Sequence, residues 1–158
     1  MENNKSTIYL ATDHAGLDHK NALLLYLKGE GYEVVDCGAV THDPYDDYPA
    51  YIEKAAEAVS LNPDVDKAII FGGSGQGEAM LANRFRRVRA VVFYGGDQEI
   101  IKLSREHNDA NVLSIGARFL SQERLEEVVH IWLNTSPLPD EKYARRIEAV
   151  KKITDQMY

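Results

Sequence analysis

The sequence has one cysteine, Cys37, among 158 residues, which excludes an internal disulfide framework. No apolar run approaches the roughly 20 residues needed to span a bilayer. The hydrophilic start, Met1 to Thr7, lacks the apolar core of a signal peptide, so a soluble, cytoplasmic protein is expected. Cations are in deficit. There are 18 Lys plus Arg against 25 Asp plus Glu, a formal net charge of -7, which argues against a general nucleic-acid or acidic-membrane binder. No Gly-Lys-Ser or Gly-Lys-Thr is present, so the chain has no P-loop. Internal repeats, low-complexity tracts and linkers are also missing. The expectation is a single domain over residues 1–158, and 44% hydrophobic content is enough for one sizeable core.

What is present is an alternation of short apolar runs and helical spacings. Ile8-Tyr9-Leu10-Ala11 reads as a strand, and Leu17, Leu23, Leu24 and Leu27 then recur near helical spacing up to Gly29 and Gly31. Glu33 to Cys37 predicts a second strand. A polar loop from Gly38 to Tyr48 leads to Pro49, which suits the first turn of a helix running to about Ser60. Ala68 to Phe71, Arg89 to Phe93 and Asn111 to Ile115 predict three more strands, with a helix through Ile100, Ile101 and Leu103 before the last of them. Ser121 is an N-cap candidate for a helix through Leu125, Val128, Val129 and Trp132, with Arg124 where a capping box would want Glu. Pro137 and Pro139 precede a final amphipathic helix, about Asp140 to Met157. Five strands alternating with helices predict an α/β fold with a parallel sheet covered on both faces, since parallel strands need right-handed crossovers.

Ligands in such a sheet bind at the carboxyl ends of the strands. There the sequence places Asp13 and His14, the loop to Tyr48, Ser74 and Glu78, and Arg118. The central stretch is Gly72-Gly73-Ser74-Gly75-Gln76-Gly77-Glu78, a glycine loop between a strand and a helix start. Three readings stand: a nucleotide site, a tight turn that uses glycine for packing, and an anion cradle of backbone N–H groups. Against the first, Glu78 occupies the third glycine position of a dinucleotide fingerprint, and a carboxylate there would repel a pyrophosphate. Glu78 itself is either a favourable first-turn carboxylate or a base beside the cradle. The helix start and cradle favour its ionised form, so desolvation by substrate must oppose them if it is to be a strong base.

Asp13-His14 and His107 are either polar turn and helix-end residues or groups that exchange protons near neutral pH. His14, His19, His42, Asp43, Asp46 and Asp47 have no recognised metal spacing and read as a solvated acidic loop with neighbouring histidines. Cys37 reads as a small, half-buried residue. Arg84, Arg86, Arg87 and Arg89 read as a solvated, partly salt-bridged surface, and Lys142, Arg145, Arg146, Lys151 and Lys152 as a charged helix face. Arg118 and some of the terminal cations could instead clamp a phosphate.

Taken together, Ala11-Thr12-Asp13-His14-Ala15-Gly16, Asp47-Tyr48-Pro49, Gly72 to Glu78, Ala82-Asn83, Ser104 to Leu113 and Gly116-Ala117-Arg118 resemble the ribose-5-phosphate isomerase B family over about Ile8 to Val150. The resemblance implies a Rossmann-like three-layer α/β/α sandwich with sheet order 2-1-3-5-4. It implies a homodimer or a dimer of dimers with active sites between subunits, the C-terminal helix contributing to the interface. It also implies interconversion of D-ribose 5-phosphate and D-ribulose 5-phosphate in the pentose phosphate pathway, with no metal and no organic cofactor.

Position by position, the resemblance implies that His107 assists ring opening while Asp13 holds sugar hydroxyls. Glu78 would move the proton from C2 to C1 through a cis-enediolate, with Ser74 relaying a proton between O1 and O2. Backbone N–H groups from Gly73 through Gly75 to Gly77 would stabilise the enediolate, and Tyr48 and Asn108 would line the sugar site. His14, Arg118, Lys142 and Arg146 would meet the phosphate. A branch of the family places a cysteine base at the position of Gly72, which leaves Glu78 as the matching base here. Galactose-6-phosphate and allose-6-phosphate isomerases are related alternatives, and a nucleotide-binding regulatory module is the non-enzymatic one.

Overall fold

Continuous apolar runs decide the architecture, because successive side chains of a strand point to opposite sides and so give it two hydrophobic faces that both need cover. The computed structural model describes residues 6–158, so Met1 to Lys5 of the hydrophilic start lie outside the described residues. The strands are β1 (Thr7–Thr12), β2 (Glu33–Asp36), β3 (Lys67–Gly72), β4 (Ala90–Phe93) and β5 (Val112–Gly116). They form one five-stranded sheet in the order β2-β1-β3-β5-β4, as the family resemblance implied. Every pairing is parallel, with Ala11 opposite Ile70 and Ile70 opposite Ser114 across the centre.

The helices are α1 (Leu17–Gly29), α2 (Pro49–Leu61), α3 (Gln76–Ala82), α4 (Glu99–Asn108), α5 (Gln122–Asn134) and α6 (Glu141–Met157). On one face, Ile8, Leu10, Ile69, Phe71, Leu113 and Ile115 pack with Leu23 and Leu27 of α1, Ile101 of α4, and Leu125, Val128, Val129 and Trp132 of α5. On the other, Ala11, Ala68, Ile70 and Val112 pack with Ile52, Ala55, Ala56 and Val59 of α2 and Ala82 of α3. Neighbouring residues of β3 thus serve opposite layers. Burying each large aliphatic side chain contributes about 1.5–3 kcal/mol, so both layers are needed to offset chain entropy.

Local signals set the element ends. Ser121 caps α5 by accepting a hydrogen bond from Arg124 N–H, and Asp140 caps α6 through Lys142 N–H. The second strand stops at Asp36, one residue before the predicted end. Its carboxylate receives Lys20 Nζ at 2.6 Å and Gly38 N–H at 2.9 Å, while residues 37–39 still exchange backbone hydrogen bonds with Leu10 and Thr12 of β1. Helix α6 contributes no buried residue. It lies outside the two layers, and Asp155 near its C-terminal end pairs with Arg86 Nε at 2.7 Å and Arg87 Nη2 at 3.1 Å. The salt bridges expected of this arginine-rich surface thus run from Arg86 and Arg87 to α6, while Arg89 is half-buried against Asp109. No helix among the described residues is long and apolar enough to cross a membrane.

Candidate active site

A cavity of about 350 Å³ opens at the carboxyl ends of β1, β3 and β5, where the parallel topology directs ligands. Asp13, His14, Tyr48, Gly73, Ser74, Gly77, Glu78 and Arg118 line it, joined by Ala15 and Phe119. The polar residues expected at this edge of the sheet do converge.

The glycine loop owes its shape to close approaches. Gly75 has φ +76°, and a Cβ there would stand 2.9 Å from the Ile115 carbonyl carbon. Ser114 Oγ ties the loop down by donating to the Gly75 carbonyl at 2.6 Å. A Cβ on Gly77 would lie 2.7 Å from the Tyr48 hydroxyl, and one on Gly73 would lie 3.0 Å from the Arg118 guanidinium. Arg118 N–H also donates to the Gly73 carbonyl at 3.2 Å, which couples the turn after β5 to the loop. Glycine here lets an aromatic ring and a guanidinium approach the cradle. Ser74 Oγ accepts from Gln76 N–H at 3.3 Å, which orients the hydroxyl and takes that N–H out of the cradle.

Glu78 is 5% exposed, at the start of α3. Burial pushes its carboxyl above the ordinary range, the charge of Asp13 acts in the same direction, and a hydrogen bond from its own backbone N–H opposes both. The protein itself therefore desolvates this carboxylate, whereas the sequence had suggested that substrate must do so. A buried carboxylate with a raised pKa next to an oxyanion-stabilising loop suits proton transfer at carbon.

Asp13 is buried, and its Oδ1 accepts from Ala15 N–H at 3.0 Å. His14 Nδ1 lies 2.6 Å from Asp46 Oδ1. Asp46 thus differs from the expected solvated acid, since its side chain is 5% exposed. The clue was its place two residues before Tyr48, in the loop that returns to the site. Asp13, His14 and Asp46 each offer a possible metal-ligand atom within 4.8 Å of one another. His14 Nδ1 and Asp46 Oδ1 face each other at 2.6 Å as a short hydrogen-bonded pair. Phe119, exposed and edge-on to Tyr94 at a centroid distance of 5.9 Å, is a lining residue that sequence reasoning missed.

The remaining predicted residues lie elsewhere. His107 and Asn108 end α4, which runs back from the carboxyl end of β4 toward the edge where β5 begins. His107 stacks on Tyr143 of α6 at 4.1 Å between ring centroids, and both His107 and Asn108 line a separate apolar cavity with Val91 and Val92. Arg146 and Asn108 line a further groove beneath α6, and Lys142 lies over the Tyr143 ring at 4.7 Å. One chain therefore gathers Asp13, His14, Tyr48, Ser74, Glu78 and Arg118 at one edge. His107, Asn108, Lys142 and Arg146 group around the end of α4 and the start of α6.

A family model described as Ribose/Galactose Isomerase matches residues 8–150. The Ribose-5-phosphate isomerase B of Mycolicibacterium paratuberculosis is 34% identical over 141 residues, covering 89% of this chain and 87% of that protein. The Escherichia coli Ribose-5-phosphate isomerase B is 34% identical over 146 residues, covering 92% and 95%. Among solved structures, Ribose-5-phosphate Isomerase B from Mycoplasma genitalium with bound ribulose-5-phosphate superposes with a TM-score of 0.89 at 31% identity, covering 94% of this chain and 96% of that one.

Proposed function

Because the chain belongs to the ribose/galactose isomerase family, we infer that it is a cytoplasmic aldose-ketose isomerase of the pentose phosphate pathway. It interconverts D-ribose 5-phosphate and D-ribulose 5-phosphate. Its relatives carry the name ribose-5-phosphate isomerase B, and a similar structure holds ribulose-5-phosphate. The observation that carries the mechanism is the buried Glu78 carboxylate, raised in pKa, beside Ser74 and the glycine loop.

In the open-chain sugar, Glu78 removes the C2 proton. The electron pair forms the C1–C2 double bond of a cis-enediolate, whose negative oxygen is held by loop N–H groups between Gly73 and Gly77. Ser74 passes a proton between O2 and O1, and Glu78 returns its proton to C1, leaving a ketone at C2. No redox or metal step is needed to balance this sequence. Tyr48 and Asp13 hold the sugar, and His14 and Arg118 hold the phosphate.

Ring opening is assigned to His107, and the phosphate clamp is completed by Arg146 and Lys142. Since these residues stand apart from the Glu78 cavity within one chain, the reading includes a homodimer or a dimer of dimers. In it, the α4 end and α6 of one copy complete the cavity of another. The exposed Val150, Ile153 and Met157 on α6 suit burial against a second copy.

The test is to incubate the purified protein with ribose 5-phosphate in deuterated water, with and without EDTA. Galactose 6-phosphate and allose 6-phosphate serve as comparison substrates. Ribulose 5-phosphate should form, deuterium should enter at carbon, and EDTA should not matter. Absence of ribose 5-phosphate turnover would sink the assignment, and loss with EDTA would sink its metal-free part.

A further inference from the structure

His14 reaches the cavity from the turn after β1, whereas Asp46 arrives 32 residues later in the loop between β2 and α2. A single oxygen, Asp46 Oδ1, meets His14 twice: the backbone N–H donates at 3.1 Å and ring Nδ1 lies at 2.6 Å. These contacts fix the residue's backbone and its ring together. With Nδ1 engaged, Nε2 is the one ring nitrogen left for a ligand. If the ring is neutral with its proton on Nδ1, Nε2 is an acceptor and repels a phosphate oxygen. If the ring is cationic, Nε2–H is a donor and attracts it.

We propose that Asp46 is a positioning residue that holds His14 as an oriented imidazolium, and so governs phosphate binding in this site. The inference rests on the isomerase reading above for the identity of the anion. Asp46 is not itself among the residues lining the cavity and meets it through His14, so its effect passes through that residue. The groups facing His14 are Asp13 on its own turn, Asp46 and His42 from the β2–α2 loop, and Arg118 from the turn after β5. Tyr51 of α2 faces Asp46 from behind. The Asp46 hydrogen bond raises the His14 pKa, and the charge of Asp13 helps, while burial and Arg118 oppose. Burial acts to raise the Asp46 carboxyl, but the hydrogen bonds and charge of His14 outweigh it and leave it below its ordinary value. Both partners therefore favour the charged pair.

His14 should hold its proton into the range where a free histidine loses it, so affinity for phosphate should persist above neutral pH. Asp46→Asn keeps an acceptor oxygen near Nδ1 and removes the charge. The experiment follows the His14 ring nitrogens by NMR in the free protein and during titration with inorganic phosphate, and measures kcat and KM for ribose 5-phosphate against pH. In Asp46→Asn, the His14 titration should move to lower pH. KM above neutral pH should rise about tenfold, with kcat within about twofold. Asp46→Glu, which keeps the charge on a longer arm, should restore part of both. An unchanged His14 titration and phosphate response in Asp46→Asn would overturn the inference, as would an effect on kcat alone. If Asp46→Asn does not fold, Asp46→Ser decides: a lowered His14 titration with raised KM supports the coupling, and wild-type behaviour overturns it. The NMR and phosphate arms need no turnover, so they separate failure of this coupling from failure of the isomerase assignment.

Discussion

The carboxylate of Glu78 occupies the space that a side chain on Gly72 would fill. A Cβ on residue 72 would stand 1.9 Å from Glu78 Oε1 and 2.5 Å from Oε2. The end of β3 and the first turn of α3 can thus share one small volume only if one of them carries no side chain. A base projecting from position 72 and a base projecting from position 78 are sterically exclusive in this geometry.

Gly72→Ala should therefore displace the Glu78 carboxylate. The obstructing atoms are the far end of a flexible side chain, so the strand should survive while the base moves. We expect kcat for ribose 5-phosphate to fall by about a hundredfold or more, in keeping with the usual worth of a positioned base. Circular dichroism and thermal melting should stay close to wild type. Undiminished kcat would show that Glu78 need not hold this position.

Glu78→Gln should lower kcat by about 10²–10⁴-fold. It should also leave the protein as stable or more so at neutral pH. The sign follows from burial: a carboxyl with a raised folded-state pKa costs stability as pH rises above the unfolded value, and the cost grows until pH passes the folded pKa. The amide removes it. For the same reason, kcat/KM in the native enzyme should fall on the acid side at a pH above the ordinary glutamate value of 4.5. A large drop in melting temperature for Glu78→Gln would point to a structural role instead.

Mixing two inactive variants tests whether the site is shared between copies. Glu78→Gln and His107→Ala damage residues that one chain holds apart. After subunit exchange, half of randomly paired dimers are mixed, and each mixed dimer has one undamaged site, so roughly a quarter of wild-type activity should return. If the mixture stays inactive after mixed dimers are demonstrated by mass spectrometry, both residues belong to the same chain's site.

The Asp155 clamp gives a pH signature at α6. Hydrogen bonds from Arg86 and Arg87 hold the Asp155 carboxyl at about 2, below the ordinary 3.8. A depressed carboxyl pKa contributes stability above the unfolded value, and this is lost as pH falls from 3.8 through about 2. Amide exchange at the C-terminal end of α6 should quicken in that window. Asp155→Asn should quicken it already at neutral pH, though modestly, because the pair is solvent-exposed. Identical protection in the variant would mean that other contacts, such as the Tyr158 hydroxyl on the Arg84 carbonyl, hold the helix end.

Features governed by neighbours along the chain were legible in the sequence. The continuous apolar run around Ile69 and Ile70 announced a strand buried on both faces, Ser121 announced a helix start, and the glycines after Phe71 announced a loop between strand and helix. Asp46 was not legible, because its hydrogen bond to His14 joins two separate loops, and an acid among other acids looks solvated until the fold brings a histidine to it. Arg86 and Arg87 do belong to a partly salt-bridged surface, but their partner was not legible for the same reason: Asp155 is more than 65 residues away in the chain.

The sequence by itself determined the strand and helix pattern, the α/β class, and the cluster of chemistry-bearing residues after β1, β3 and β5. Propensity, capping and hydrophobic period act within a few residues, so they can be read in order. Only the tertiary structure decided that Glu78 is desolvated, that Gly72 makes room for it, that His14 is paired, and that His107 stands apart from the cavity. Those properties depend on distance through space and on the exclusion of water, which are set by segments far apart in the chain.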